Sequence, residues 1–274
     1  MSHMTLDRAN VSATVSFGAT WLYTVGQVAV WAALLVFRRW LSSEFMLFRM
    51  MSVIRSGPKA IPTTAVDCFA LLQAHPLLGF SLLNGFDMVN FVLAGVVVLV
   101  LYAVLKRTDR SFMMLAVAFM LVAIVVYIRS NPALPMLALG HQYAAASTDA
   151  QQAALVSAGE AVLVAKSPFA LGQNVAFVFF HAAGLMVSLV MLRSGIFSKR
   201  CAILGMLFNA FGLGFPLSVA LAPGSVFLPG AAWTIGVIFW VFWYIGIART
   251  FHRLSAAVKG QLRGNHRPSA ASHL

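Results

Sequence analysis

Charge is scarce in this chain, and acidic charge scarcer still. Only 9% of its 274 residues are charged, and just 7 of them are Asp or Glu. A water-soluble domain commits about a quarter of its residues to charge, because its surface must be hydrated. That shortage excludes an ordinary soluble fold and suits one whose surface faces lipid. Cysteine is scarce too. Cys68 and Cys201 are the only two and lie far apart in apolar surroundings, which excludes a disulfide framework or a metal knuckle. Also missing are a phosphate-binding glycine loop, a nucleophile elbow, a paired-histidine zinc helix and an intramembrane carboxylate pair. Nor is there the clear internal duplication of many secondary transporters. These gaps point away from an enzyme, and they indicate no cofactor and no metal.

What the chain has instead is apolar length. It is 61% hydrophobic, and a helix needs about 20 mostly apolar residues to cross the hydrocarbon core. Uncharged stretches run from Arg8 to Arg38, Asp87 to Lys106, Arg110 to Arg129, Lys166 to Arg193 and Arg200 to Arg249. The last is too long for one crossing, and the turn residues Pro223-Gly224 and Pro229-Gly230 divide it. The expectation is an all-α, polytopic transmembrane helix bundle of about six spans: 17–37, 84–105, 111–130, 172–193, 201–221 and 231–249. Val92 to Leu105 and Met113 to Ile128 carry no polar stripe of the kind a buried helix in a soluble protein would show. The N-terminal run does not read as a signal peptide, since Arg38-Arg39 after it resembles a stop-transfer flank.

The net charge of +12 is distributed unevenly. Lys106, Arg107 and Arg110 separate spans two and three. Arg193, Lys199 and Arg200 separate spans four and five, and Arg249, Arg253, Lys259, Arg263 and Arg267 follow span six. All three sets fall on one side of a six-span chain, so the positive-inside rule puts the C-terminus in the cytoplasm of a multi-pass cell-membrane protein. Cations at the ends of apolar runs are anchors; the partner they imply is the lipid bilayer and not nucleic acid. Arg38, Arg39, Arg49, Arg55 and Lys59 run against this pattern. The segment 41–80 reads as interfacial, with Leu41 to Ile54 amphipathic and Ala65 to Phe80 broken at His75-Pro76.

Between spans three and four, Asn131-Pro132 and Pro135 read as helix stops and a loop. Thr148-Asp149-Ala150-Gln151 reads as a capping box opening a second interfacial segment, 148–166, with Glu160 on one face. Residues 1–254 form the membrane domain in this reading. Residues 255–274 are basic and rich in Ser, Ala and Gly, a disordered cytoplasmic tail near anionic lipid headgroups.

Polar groups inside lipid are costly and therefore mark candidate sites. Here they are His181, Asn209, Asp87, Asn90 and Asn174. His181 lies mid-span; it reads either as a proton relay or ligand, or as a neutral imidazole bonded to a neighbouring helix such as at Asn209. Asn84, Asp87 and Asn90, three apart, share a helix face and read as a ligand mouth or as a polar helix start with Asn84 capping. Gly184 and Ser188, and Ala210, Gly214 and Ser218, are small residues four apart that permit close helix contact. Exposed, such a stripe would mark an assembly surface. The many Phe and Met residues read as core and lipid-facing filler.

Several runs carry a resemblance. Phe69-Ala-Leu-Leu-Gln, Leu83-Asn-Gly-Phe-Asp-Met-Val-Asn90, Leu101-Tyr-Ala-Val-Leu-Lys-Arg-Thr-Asp-Arg-Ser111, Met191-Leu-Arg-Ser-Gly-Ile-Phe-Ser198 and Ile203-Leu-Gly-Met-Leu-Phe-Asn-Ala-Phe-Gly-Leu-Gly214 occur in that order. Together they resemble bacterial polytopic proteins catalogued as domain of unknown function 4386, over Ala65 to Arg253. The resemblance implies a bacterial inner-membrane protein and carries over no catalytic residue. The expectation is a non-enzymatic membrane protein, a transporter or a regulatory subunit. The alternative is an intramembrane enzyme, or a metal- or haem-binding protein, using His181 with Asp87 or Asn209.

Overall fold

A computed structural model describes residues 18–19, 21–35, 62–164, 171–221 and 227–265. Among these the regular structure is helical. Five helices are long and apolar enough to cross a bilayer, and a sixth apolar helix, α1, runs over Trp21–Leu35. The chain is a multi-pass helical bundle. Residues 36–61, with Arg38, Arg39, Arg49, Arg55 and Lys59, lie outside the described residues, as do Lys166 and 266–274.

After α1 come two short helices, α2 (Ala65–Ala74) and α3 (Pro76–Leu82), separated at His75-Pro76. Proline is tolerated in a first helical turn, because its missing amide hydrogen would be unbonded there anyway. The long helices α4 (Gly85–Leu105) and α5 (Arg110–Ser130) follow. At 21 residues each, they span about 31 Å, enough for a hydrocarbon core. Asp109 starts α5 by accepting the Phe112 amide at 3.0 Å.

Where the sequence suggests a proline-broken loop, α6 (Ala133–Ala145) forms. Pro132 is its N-cap and Pro135 falls in its first turn, so these prolines end one helix and start the next. Helix α7 (Asp149–Val164) opens as the capping box implies, with the Gln151 amide donating to Thr148 Oγ1 at 3.3 Å. The bundle is completed by α8 (Leu171–Ser194), α9 (Lys199–Leu221) and α10 (Phe227–Asn265). Helix α10 continues to Asn265, so residues 255–265 are helical where composition suggests disorder. Ala256, Ala257 and Leu262 keep helix-forming residues among the basic ones, and the Gly-poor stretch up to Lys259 has no breaker.

Two apolar clusters organise the packing. One lies among α1, α4, α5, α8, α9 and α10, around Leu101, Met113, Val187 and Ile247. The other joins the first halves of α4 and α8 and the second half of α5 to a cap made of α2, α3, α6 and α7. Phe69 is the pivot of the cap. It is fully buried, packs on Tyr143 with ring centroids 5.3 Å apart, and fits because Gly140 and Gly159 bring no side chain against it. Glu160 of α7 accepts the Ala65 amide at 2.7 Å and so caps α2 from another helix. Asn131 is 2% exposed; its amide nitrogen donates to the Asn84 carbonyl at 3.0 Å and its Oδ1 accepts the Ala133 amide at 2.9 Å. Asn84 itself adopts φ 59 and makes no side-chain cap, which corrects the capping role expected for it.

The opposite end is basic. Phe197, in the α8–α9 turn, meets Phe251 of α10, and Tyr23 of α1 stacks on the same ring. Gly26 lies against Phe251 and Val100. Helix α1 therefore starts at the end that carries Lys106, Arg107, Arg193, Lys199, Arg200 and Arg253, and runs toward the cap. Outward faces are apolar, as at Val125, Ile238 and Phe242, which fits contact with lipid.

Candidate functional site

The site is built on a tight antiparallel junction between α8 and α9. His181 faces Gly212, Gly184 faces Asn209, and Ser188 faces Gly205. Each large or polar side chain on one helix occupies the space that a glycine leaves on the other. A Cβ at Gly212 would fall on the imidazole, and one at Gly184 on the Asn209 amide. The small residues are thus internal: Ser188 is fully buried, with its hydroxyl donating to the Gly184 carbonyl at 2.8 Å. Gly184 and Ser188 do not form an exposed assembly stripe.

This junction fixes the histidine. Asn209 is fully buried, and its Nδ2 donates to the Gly205 carbonyl at 2.7 Å. That assignment turns Oδ1 toward His181 Nδ1, 3.2 Å away. An amide oxygen only accepts, so Nδ1 carries a proton and donates, which in a neutral ring leaves Nε2 with its lone pair. The helix-to-helix hydrogen bond to Asn209 expected from the sequence is present. One turn along α9, Pro216 carries no amide hydrogen, so the ladder bond that the Gly212 carbonyl would accept is missing beside the imidazole.

Beside His181 lies a half-open cavity of ≈80 Å³, in the capped half of the bundle and reaching its middle. Helix α4 contributes Asp87, Asn90, Phe91 and Ala94, which recur at helical spacing on one face. Helix α8 contributes Phe177, Phe180 and His181, and α9 contributes Phe208. Val237, Trp240 and Tyr244 of α10 close the remaining side. The walls form one aromatic network. Phe208 meets His181 edge-on at 5.1 Å, Phe91 lies 4.8 Å from Phe180, and Trp240 lies 4.8 Å from Tyr244.

Asp87 brings the only charge that the described residues give this cavity. Its Oδ2 accepts the Tyr127 hydroxyl at 3.4 Å, a long bond. Tyr127 is fully buried and stacks on Phe91 with centroids 4.0 Å apart. Asn90 Oδ1 is buried without a hydrogen-bond partner. Of the five candidate residues, three (Asp87, Asn90 and His181) line the cavity, and Asn209 stands behind His181. Asn174 is half-buried on α8 and does not line it. Among the described residues no group of three His, Cys, Asp or Glu side chains converges.

Residues 59–245, well over half the chain, match the family described as Domain of unknown function (DUF4386). The chain belongs to this family. Both the cavity and the cap of this DUF4386 protein fall inside the matched residues. No curated protein and no solved structure matches the chain.

Sequence reasoning finds the polar members of the site but not its walls. Phe91, Phe177, Phe180, Phe208, Trp240 and Tyr244 look like ordinary core residues one at a time. The signal that marks them is position: Phe91 is one turn from Asp87 on α4, and Phe177 is one turn from His181 on α8. Tyr127 lies on α5 with Ser130 and Asn131 as its polar neighbours at helical spacing, and only the fold joins it to Asp87.

Proposed function

We propose that this protein binds or transports a small molecule in the cell membrane and is not an enzyme. The observation that carries the reading is the cavity: concave, mostly apolar, with a few converging polar groups, and reaching the middle of the bundle. A transported solute needs such a place within the hydrophobic thickness. The resemblance implies a bacterial inner membrane. The basic turns beside Lys106 and Arg193 support a cytoplasmic C-terminus, with the cap outside. Contact of the basic end of α10 with anionic lipid belongs to the same proposal.

A second reading, an intramembrane enzyme using His181, draws support from the fixed tautomer, because a general base must be held with its lone pair free. It ranks lower. Among the described residues no hydrogen bond links His181 to Asp87, and Asn209 is occupied in holding the ring.

Cysteine accessibility separates a usable cavity from a closed one. Val237 lines the cavity, whereas its neighbour Ile238 is 53% exposed on the outer face. Val237→Cys should react with a small water-soluble methanethiosulfonate in proteoliposomes and Ile238→Cys should not, with the native buried Cys68 and Cys201 as background. Equal silence at both positions would contradict the binding reading.

A further inference from the structure

Resting on that reading, we infer that the cavity takes a small organic cation: an ammonium headgroup held by Asp87 and the faces of the surrounding rings. Charge inside the cavity is unbalanced. A carboxylate inside a low-dielectric bundle is strongly disfavoured unless a counter-charge or a full set of hydrogen bonds accompanies it. Among the described residues, Asp87 has one long hydrogen bond, from Tyr127, and no Lys or Arg lines the cavity. The described residues thus supply no cation at the place where one would be stabilised most.

The walls point to the same ligand. Six of the eleven lining residues are Phe, Trp or Tyr. Aromatic rings present a negative face, and a cation within about 6 Å of a ring centroid is attracted to it, most strongly by Trp. Phe91, Phe177, Phe180, Phe208, Trp240 and Tyr244 bring such rings to the cavity from four helices. His181 is hydrogen-bonded to the amide of Asn209 and not to Asp87. An anion would meet the Asp87 charge and the negative ring faces. A neutral apolar molecule would fill the space but leave the carboxylate uncompensated. A metal ion would find no three-ligand set among the described residues. The volume of ≈80 Å³ suits a compact headgroup, and the open side leaves room for the remainder of a longer amine.

The test uses the full chain in proteoliposomes carrying Val237→Cys. Choline serves as the cationic probe and 3,3-dimethylbutan-1-ol, its neutral carbon isostere, as the comparison. The readout is protection of the introduced thiol from a neutral methanethiosulfonate. Choline should protect at a concentration at least about tenfold lower than the isostere, the factor expected for one favourable charged contact. Asp87→Asn should abolish that preference. Trp240→Leu, which keeps the carboxylate, should weaken choline more than the isostere, and it serves if Asp87→Asn fails to fold. Equal protection by the two probes, or protection by neither while the introduced thiol still reacts, would overturn the cation inference and leave the binding reading standing. An introduced thiol that never reacts would overturn both.

Discussion

Substituting Gly212 by alanine tests the α8–α9 junction, because the new methyl group must occupy the place of the His181 ring. The imidazole cannot swing aside freely. Its Nδ1–H is bonded to Asn209, and Phe177, Phe180 and Phe208 surround it. Overpacking of this kind costs about 1–3 kcal/mol. Losing the imidazole–amide hydrogen bond adds about 0.6–1.7 kcal/mol within a membrane bundle. Alanine returns about 1 kcal/mol through its better helix propensity. The net loss is therefore roughly 1–4 kcal/mol. Gly214, two residues along the same helix, is the control: a Cβ there would meet the Ala232 methyl at 3.7 Å, an ordinary contact. Gly214→Ala should be neutral or stabilising by up to about 1 kcal/mol. Reversible unfolding in mixed detergent micelles, followed by tryptophan fluorescence, measures both. In a His181→Ala background the Gly212→Ala penalty should nearly vanish, since the residue it collides with is gone. Equal effects of the two glycine substitutions, or a penalty that persists without His181, would refute the interlocked register.

Other outcomes follow from the cap and the cavity. Asn131→Ala removes a bond to the Asn84 carbonyl and the acceptor for the Ala133 amide, and should cost about 1–3 kcal/mol in the same titration. Glu160→Ala takes the acceptor from the start of α2 and should destabilise by about 0.5–2 kcal/mol, while Glu160→Gln, which keeps an oxygen there, should lose less. Tyr127→Phe should cost under about 1 kcal/mol, because the bond to Asp87 is long. Tyr127→Leu should lose about 0.5–1.5 kcal/mol more, because the stack on Phe91 goes with it.

The membrane helices are legible in the sequence because lipid imposes a single strong constraint: an uncharged run of sufficient length. Gly85–Leu105 and Arg110–Ser130 end where Lys106 and Asn131 stand, and a reader of the sequence stops there too. Helix α6 is harder to see, because Pro132 and Pro135 break one helix and open another, and the chemistry of proline serves both. The end of α10 is misread because basic, polar residues suit an exposed helix as well as a disordered tail. In the site, His181 and Asp87 stand out as ionisable groups inside lipid. Their surroundings do not. The pairing of His181 with Gly212, and of Asn209 with Gly184, depends on a register between two helices that neither helix encodes alone. The cavity walls come from four helices, and a phenylalanine facing a cavity has the same sequence signature as one facing lipid.

One spatial arrangement underlies all of this: basic turns at one membrane face, and the cap formed by α2, α3, α6 and α7 at the other. Single cysteines placed at Ser147, in the cap, and at Ile196, in the α8–α9 turn, test it directly, since both positions are exposed. In intact cells an impermeant maleimide should label Ser147→Cys and leave Ile196→Cys untouched until the membrane is permeabilised. Labelling of both from the same side would contradict the arrangement.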